Sequence, residues 1–152
     1  MELILRIYFA LNYPNKTNKI IAIGAGKWQK GFRTFGGTFA DFAKLDPLYW
    51  QEQAKIRPEP KRTEEWFGQN VAYFNHLEIG ENVFKNIPAK TLMIVGEDDQ
   101  NAPLDTVIKA YKALPNADIA VIPNATHSVF SDNFNAVWAV IEPFLNKYWM
   151  SK

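Results

Sequence analysis

Hydrophobic and polar positions alternate along this chain in two patterns, one typical of amphipathic helices and one typical of short buried strands. Residues 2–12 mix apolar positions with Arg6 and run into a turn at Pro14, which predicts an amphipathic helix of the mature protein. Its apolar stretch is half of the ~20 residues that a bilayer span needs, so we expect no transmembrane helix. Further along, the patterns predict strands at 19–24, 90–95 and 118–122, and helices at about 104–114 and 132–148.

The last part of the chain predicts a parallel sheet. Two strands separated by a single helix form a right-handed βαβ unit, in which the strands run in the same direction. Strands of a parallel sheet are usually covered on both faces, so we expect these strands to be buried on both sides. The fold class is therefore α/β.

Residues 27–87 differ from the rest of the chain because they are rich in aromatic residues and contain no strand pattern. Asp46 followed by Pro47 predicts the start of one helix, and Thr63 followed by two acidic residues predicts another. Residues 57–62 would link them. We interpret 27–87 as a helical insertion within a single domain that spans residues 1–152, and its aromatic side chains either line a ligand pocket or pack into a small core of their own.

Composition excludes several classes of function. The 152 residues carry a net charge of +1 without a long run of like charge, so we expect neither a nucleic-acid partner nor a membrane-surface partner. The sequence has no cysteine, which excludes disulfides, thiolate metal sites and a cysteine nucleophile. No motif calls for a cofactor: "GAGK" at 24–27 lacks the spacing of a phosphate-binding loop.

Candidate chemistry lies in the two turns that follow the predicted strands 90–95 and 118–122. Ligands and reactive groups collect at the carboxyl ends of parallel strands, so Asp99 and His127 are expected side by side at one edge of the sheet. Taken alone, the histidine is an ordinary polar turn residue, and the carboxylates of Glu97, Asp98 and Asp99 are a possible cation site. The second reading is weaker, because no further acidic residue or histidine lies at the other strand ends, and we expect no metal.

The segments "TLMIVGEDDQNAP" and "LPNADIAVIPNATHSVF", with the closing helix, resemble the C-terminal part of the α/β hydrolases. In that family a Gly-x-x-Asp turn supplies the acid of the catalytic triad and a later turn supplies its histidine. The resemblance implies that Asp99 is the acid, with Asp98 as a weaker candidate, and that His127 is the base, although Thr126 stands where the family more often has glycine. "LNYPNKTNKIIAIGAG" is similar to the segment behind the nucleophile, and the aromatic insertion corresponds to the lid. The implied fold is a partial, three-layer α/β-hydrolase fold with about three parallel strands and a helical lid insertion at 27–87.

The nucleophile of that family is not in this sequence. It lies in a Gly-x-Ser-x-Gly elbow, which would fall at or just before Met1, and the serines present are Ser128, Ser131 and Ser151. We therefore expect a truncated hydrolase, by descent an enzyme acting on small esters or amides, that is inactive alone. The alternatives are a binding or interaction module without turnover, and one piece of a split enzyme.

Truncation would also expose apolar surface. The strand at 19–24 would become a sheet edge, and the first helix would leave Leu3, Leu5, Ile7, Tyr8 and Phe9 in need of a partner. A two-fold contact closes on itself, so we expect a homodimer centred on residues 3–24. We expect a cytoplasmic location.

Overall fold

The computed structural model of the protein describes residues 2–32, 34 and 36–146, and it contains the alternating helices and strands that the hydrophobic pattern predicts. The helices are α1 (Glu2–Asn12), α2 (Phe39–Ala43), α3 (Pro47–Ile56), α4 (Thr63–His76), α5 (Glu81–Lys85), α6 (Leu104–Ala113) and α7 (Val129–Asn146). The strands are β1 (Lys19–Ile23), β2 (Lys90–Gly96) and β3 (Ala117–Ile122). Within these described residues, we find no helix with the length and apolar character that crossing a bilayer requires.

The chain divides into two compact units. The sheet unit comprises the residues up to Trp28 and those from Ile79 onwards, and the helical unit comprises Gln29–Glu78. At the junction, the backbones of Trp28 and Ile79 exchange two hydrogen bonds of 3.0 and 2.8 Å. The organisation of residues 1–152 as one domain, and the role of 27–87 as a lid, stay predictions.

The sheet unit is built on a parallel sheet with the order β1-β2-β3. Ile23 pairs with Ile94, and Gly96 pairs with Ile122, so the three strands end close together. The prediction that both strands of the βαβ unit are buried on both faces is correct for β2 and wrong for β3. In β1 buried and partly exposed residues alternate, and in β3 Ile122 is the one buried residue, because both strands lie at the edges of the described sheet.

Helix α7 covers one face of the sheet through a contiguous apolar core. The buried members of this core are Leu92, Ile94, Ile122, Ala125, Val129, Val137, Ile141 and Phe144. Successive side chains of a strand alternate between faces, so Met93 and Val95 point to the other side. Helix α6 connects β2 to β3 and packs against both. The result is a layered α/β unit.

Helix α7 begins three residues earlier than the predicted start at 132, and it contains a kink. Asn133 has non-helical backbone angles (φ −153°, ψ 75°). Its Oδ1 accepts a hydrogen bond from the backbone N–H of Ala136, so it caps the longer segment that follows. The sequence pattern located that segment and missed the turn Val129–Asp132.

In the helical unit, α2 and α3 begin with side-chain caps, whereas α4 does not. The predicted cap Asp46 accepts a hydrogen bond from the Tyr49 backbone N–H at 3.0 Å, and Pro47 is the first helical residue, as expected. Thr38 and Asp41 form a reciprocal capping box on α2. Four aromatic rings then pack against one another, those of Phe39, Phe42, Trp50 and Phe67.

Candidate functional site: a buried aspartate and a half-exposed histidine

Asp99 and His127 meet at the carboxyl end of the sheet. The turn after β2 carries the aspartate, the turn after β3 carries the histidine, and His127 Nδ1 lies 2.9 Å from Asp99 Oδ2. Asp99 is 2% exposed, whereas 45% of the His127 side chain is exposed. An ionised carboxylate only accepts hydrogen bonds, so Nδ1 donates and Nε2 carries the lone pair of the neutral imidazole. The predicted contact is therefore present, while a catalytic role for the pair stays a prediction.

The second oxygen of Asp99 is held by the backbone. Oδ1 accepts hydrogen bonds from the N–H groups of Asn101 and Ala102, at 2.7 and 2.8 Å. These bonds compensate the buried carboxylate for the loss of water and fix its plane. The backbone thus holds Asp99 in one orientation.

Two glycines make room for this arrangement. Gly24 follows β1 with a positive φ of 60°, and a Cβ there would lie 2.7 Å from His127 Cε1 and 3.3 Å from Asp99 Oδ2. At Gly96, the end of β2, a Cβ would lie 2.2 Å from the carbonyl oxygens of Ala125 and Thr126. The sequence analysis placed Gly96 at the site only as the glycine of the Gly-x-x-Asp turn, without a physical reason, and it did not connect Gly24 with the site. The sequence signal that could have identified both positions is a glycine directly after each apolar run.

Asp132 ties the histidine turn to the start of α7. Its Oδ2 accepts hydrogen bonds from the backbone N–H of Thr126 at 2.6 Å and from the Thr126 hydroxyl at 2.7 Å. These bonds, led by the one from the hydroxyl, hold the pKa of Asp132 below its ordinary value. Thr126 stands where the α/β hydrolases more often have glycine. Its hydrogen-bond partner is Asp132, which the sequence analysis did not identify.

The neighbouring polar residues have other contacts. Asp98, the alternative acid, is exposed, and its backbone N–H donates to the Ala125 carbonyl. Glu97 is exposed as well, but its carboxylate accepts a hydrogen bond from the Asn124 N–H at 3.2 Å. Ser128 is exposed, and its N–H donates to the Thr126 hydroxyl. In the described part of the chain, no three carboxylate or histidine side chains cluster as a metal site would require.

The second histidine of the sequence lies elsewhere. His76 is exposed on the last turn of α4, where its Nδ1 lies 2.8 Å from the carbonyl oxygen of Ala72. It belongs to the helical unit, as the sequence predicted for a residue of the insertion. It therefore serves as an internal control for experiments on His127.

Comparison with known proteins relates the chain to solved structures. No family model and no curated protein sequence matches it. A meta-cleavage product hydrolase from Pseudomonas fluorescens superposes with a TM-score of 0.73 at 16% identity, over 94% of this chain and 61% of that one. A serine hydrolase from the polyaromatic-hydrocarbon-degrading bacterium Cycloclasticus zankles gives 0.71 at 14% identity, over 100% and 63%. An α/β hydrolase from a Medee basin deep-sea metagenome library gives 0.64 at 16% identity, over 95% and 62%.

These likenesses concern the fold. Identities of 14–16% with TM-scores of 0.64–0.73 show a shared architecture, and this chain spans about 61–63% of the length of those three proteins. The three parallel strands, with α6 crossing between β2 and β3 and α7 covering one face, match that architecture. The prediction of the fold is therefore confirmed: the protein has a partial α/β-hydrolase fold.

Proposed function

We propose that Asp99 and His127 are the acid and the base of an ester- or amide-hydrolysing site. The observation that carries this proposal is the 2.9 Å hydrogen bond between the two side chains, with the carboxylate buried and the imidazole half exposed. In such a site Nε2 removes a proton from the nucleophile, and the carboxylate holds the tautomer and stabilises the imidazolium that forms. Hydrolases occur among the solved structures of the same fold, which supports the same proposal.

The proposal includes inactivity of this chain alone. The sequence contains neither a Gly-x-Ser-x-Gly elbow nor a cysteine. His127 and Asp99 activate a nucleophile and do not replace one, so a nucleophile and oxyanion hole from another polypeptide or segment would complete the site. This view includes the split-enzyme alternative.

Activity-based labelling tests the proposal. The chain alone should neither turn over p-nitrophenyl acetate nor bind a fluorophosphonate covalently. If the DNA upstream of the Met1 codon encodes a Gly-x-Ser-x-Gly segment, co-expression of that segment should restore labelling. Restored labelling should disappear with His127→Ala and persist with His76→Ala, because only the first histidine contacts Asp99. Stoichiometric labelling of the chain alone that vanishes with Ser128→Ala would refute the proposal.

A second candidate function is small-ligand binding without turnover. The observation that favours it is an apolar groove within the helical unit, lined by Phe39, Trp50 and neighbouring residues. Native mass spectrometry of protein purified from cells distinguishes the candidates, since a retained small molecule supports binding. A clean mass together with restored labelling would support hydrolysis.

We also propose a homodimer centred on α1 and β1. Strand β1 pairs with β2 on one side, and the described residues place no strand on its other side. Phe9 and Tyr13 are 49% and 51% exposed, with their rings 4.9 Å apart, which supports an apolar contact surface. The expectation that Ile7 needs a partner is wrong, because it is only 2% exposed within its own chain; Leu3 and Leu5 lie outside the described side chains. A cytoplasmic location and a small ester or amide ligand stay predictions.

Light scattering tests the dimer. Phe9→Lys should convert it to a monomer, because the substitution places a charge on the exposed face of α1. The control is Tyr49→Lys, at an aromatic residue of the helical unit that is 50% exposed. This variant should remain a dimer. A monodisperse monomer of the unmodified chain at micromolar concentration would refute the proposal.

A further inference from the structure

The helical unit contains an apolar groove whose wall includes two basic residues, Lys44 and Arg57. The groove encloses about 410 Å³, within the range of roughly 300–1,000 Å³ that is usual for small-molecule sites. All of its lining residues belong to the helical unit, on α2, α3 and the segment that leads into α4. They are Phe39, Ala40, Ala43, Lys44, Pro47, Trp50, Gln51, Ala54, Arg57, Pro60 and Thr63.

Of these two basic residues, Lys44 is paired with Asp41, and Arg57 is the one that distinguishes this groove. Its side chain is half-buried, and its guanidinium lies over the rings of Trp66 and Trp50, at 4.4 and 5.7 Å from their centres. One N–H group donates to the Thr63 hydroxyl at 3.0 Å, and that hydroxyl donates in turn to the Pro60 carbonyl. The guanidinium is therefore held in place by stacking and by an oriented acceptor.

This arginine has no carboxylate partner among the residues that the structure describes, unlike the other basic groups nearby. Arg62 pairs with Glu59 and Glu65, and Lys44 pairs with Asp41 at 3.1 Å. A guanidinium has five N–H donors, of which Arg57 uses one on Thr63. A half-buried cation with unused donors beside an apolar groove is complementary to an anion that carries an apolar body.

We propose that the groove binds a small carboxylate with an aromatic or aliphatic body. The carboxylate accepts hydrogen bonds from Arg57, and the body packs against Trp50, Phe39 and the alanines of α2 and α3. This site is argued from the helical unit alone. The evidence for it and its test are independent of the hydrolytic role of Asp99 and His127.

Titration of the full chain with 4-phenylbutyrate tests the site, with the neutral alcohol 4-phenyl-1-butanol as the matched ligand. Isothermal calorimetry gives the affinities, and the indole N–H signals in NMR spectra report contact with Trp50. We expect saturable binding of the carboxylate and at least about ten-fold weaker binding of the alcohol, as for the loss of one charge-assisted hydrogen bond. Equal affinity for the two ligands, no saturable binding, or equally tight binding of inorganic phosphate would overturn the proposal.

Two variants distinguish the contribution of the Arg57 charge to binding from that of the apolar groove. Arg57→Gln should weaken carboxylate binding to the level of the alcohol, and the matched variant Arg62→Gln should leave it unchanged, because Arg62 already has carboxylate partners. Ala54→Phe fills the groove at a helical position and should abolish binding of both ligands. Circular dichroism checks folding, and if Arg57→Gln does not fold, Ala54→Phe decides the question. Undiminished binding by either folded variant would refute the site.

Discussion

Replacing Gly24 with alanine should disturb the histidine and the fold together, because two separate effects meet at this position. The backbone of Gly24 is left-handed (φ 60°), and an L-residue in that region costs about 1–2 kcal/mol. The added Cβ would lie 2.7 Å from His127 Cε1 and 2.9 Å from Nδ1, well inside normal contact. Overpacking of this kind costs about 1–3 kcal/mol. We therefore expect Gly24→Ala to lower the free energy of unfolding by about 2–5 kcal/mol.

A double-mutant cycle measures the contact separately from the backbone effect. In a His127→Ala background the ring is absent and the nearest remaining neighbour of the added Cβ is Asp99 Oδ2 at 3.3 Å, so Gly24→Ala should cost mainly the backbone part, about 1–2 kcal/mol. Gly31→Ala is the matched control, because Gly31 also has a positive φ (80°) and its added Cβ meets no atom within 4 Å. Urea unfolding followed by circular dichroism gives the four free energies of the cycle and that of the control.

The interaction energy in this cycle should be about 1–3 kcal/mol, the size of the overpacking effect. Distant residues usually give additive effects within about 0.3–0.5 kcal/mol. Additive costs for Gly24→Ala and His127→Ala would therefore show that the two residues are not in contact, which would refute the described geometry of the strand ends. A Gly31→Ala cost equal to that of Gly24→Ala would assign the whole effect to the backbone.

Three further predictions follow from the sheet unit. Phe144→Ala should lower the free energy of unfolding by about 3–5 kcal/mol, because the residue is 6% exposed. Phe134 is 56% exposed, so Phe134→Ala should cost less than about 1 kcal/mol. Urea unfolding compares the two variants. Asp99→Ala leaves two backbone N–H groups without their acceptor and should cost about 2–4 kcal/mol in the same assay, with a smaller loss for Asp99→Asn, which keeps one oxygen. Asp132 has a folded-state pKa below its ordinary value of 3.8, so its bonds with Thr126 stabilise the protein fully above that pH and less as the pH falls through the folded value. The difference in unfolding midpoint between the wild type and Asp132→Asn should thus shrink between pH 6 and pH 3, and a difference that is constant with pH would contradict this reasoning.

Much of the sheet and the central pair could be predicted from local sequence signals. Apolar runs define β2 and β3, and parallel strands place their ends at one edge, which is enough to bring Asp99 and His127 together. Asp46 and Pro47 likewise mark the start of α3 through local capping chemistry. These features depend on a few neighbouring residues.

Features that depend on the tertiary structure were not predictable in the same way. The roles of Gly24 and Gly96 arise from atoms supplied by a different turn, so only the folded chain shows why each position has no side chain. The Asp132 contact with Thr126 depends on the early start of α7, which the periodicity did not reveal.

The two hydrogen bonds between Trp28 and Ile79 have a consequence for how this protein tolerates changes in length. They bring the entry and the exit of the helical unit together, so the strands on either side keep their register whatever lies between them. Each doubling of a flexible loop costs only about 0.6 kcal/mol, which makes this junction an inexpensive place to shorten, lengthen or exchange a segment. Grafting a different helical hairpin between these two residues should therefore leave the sheet unaltered.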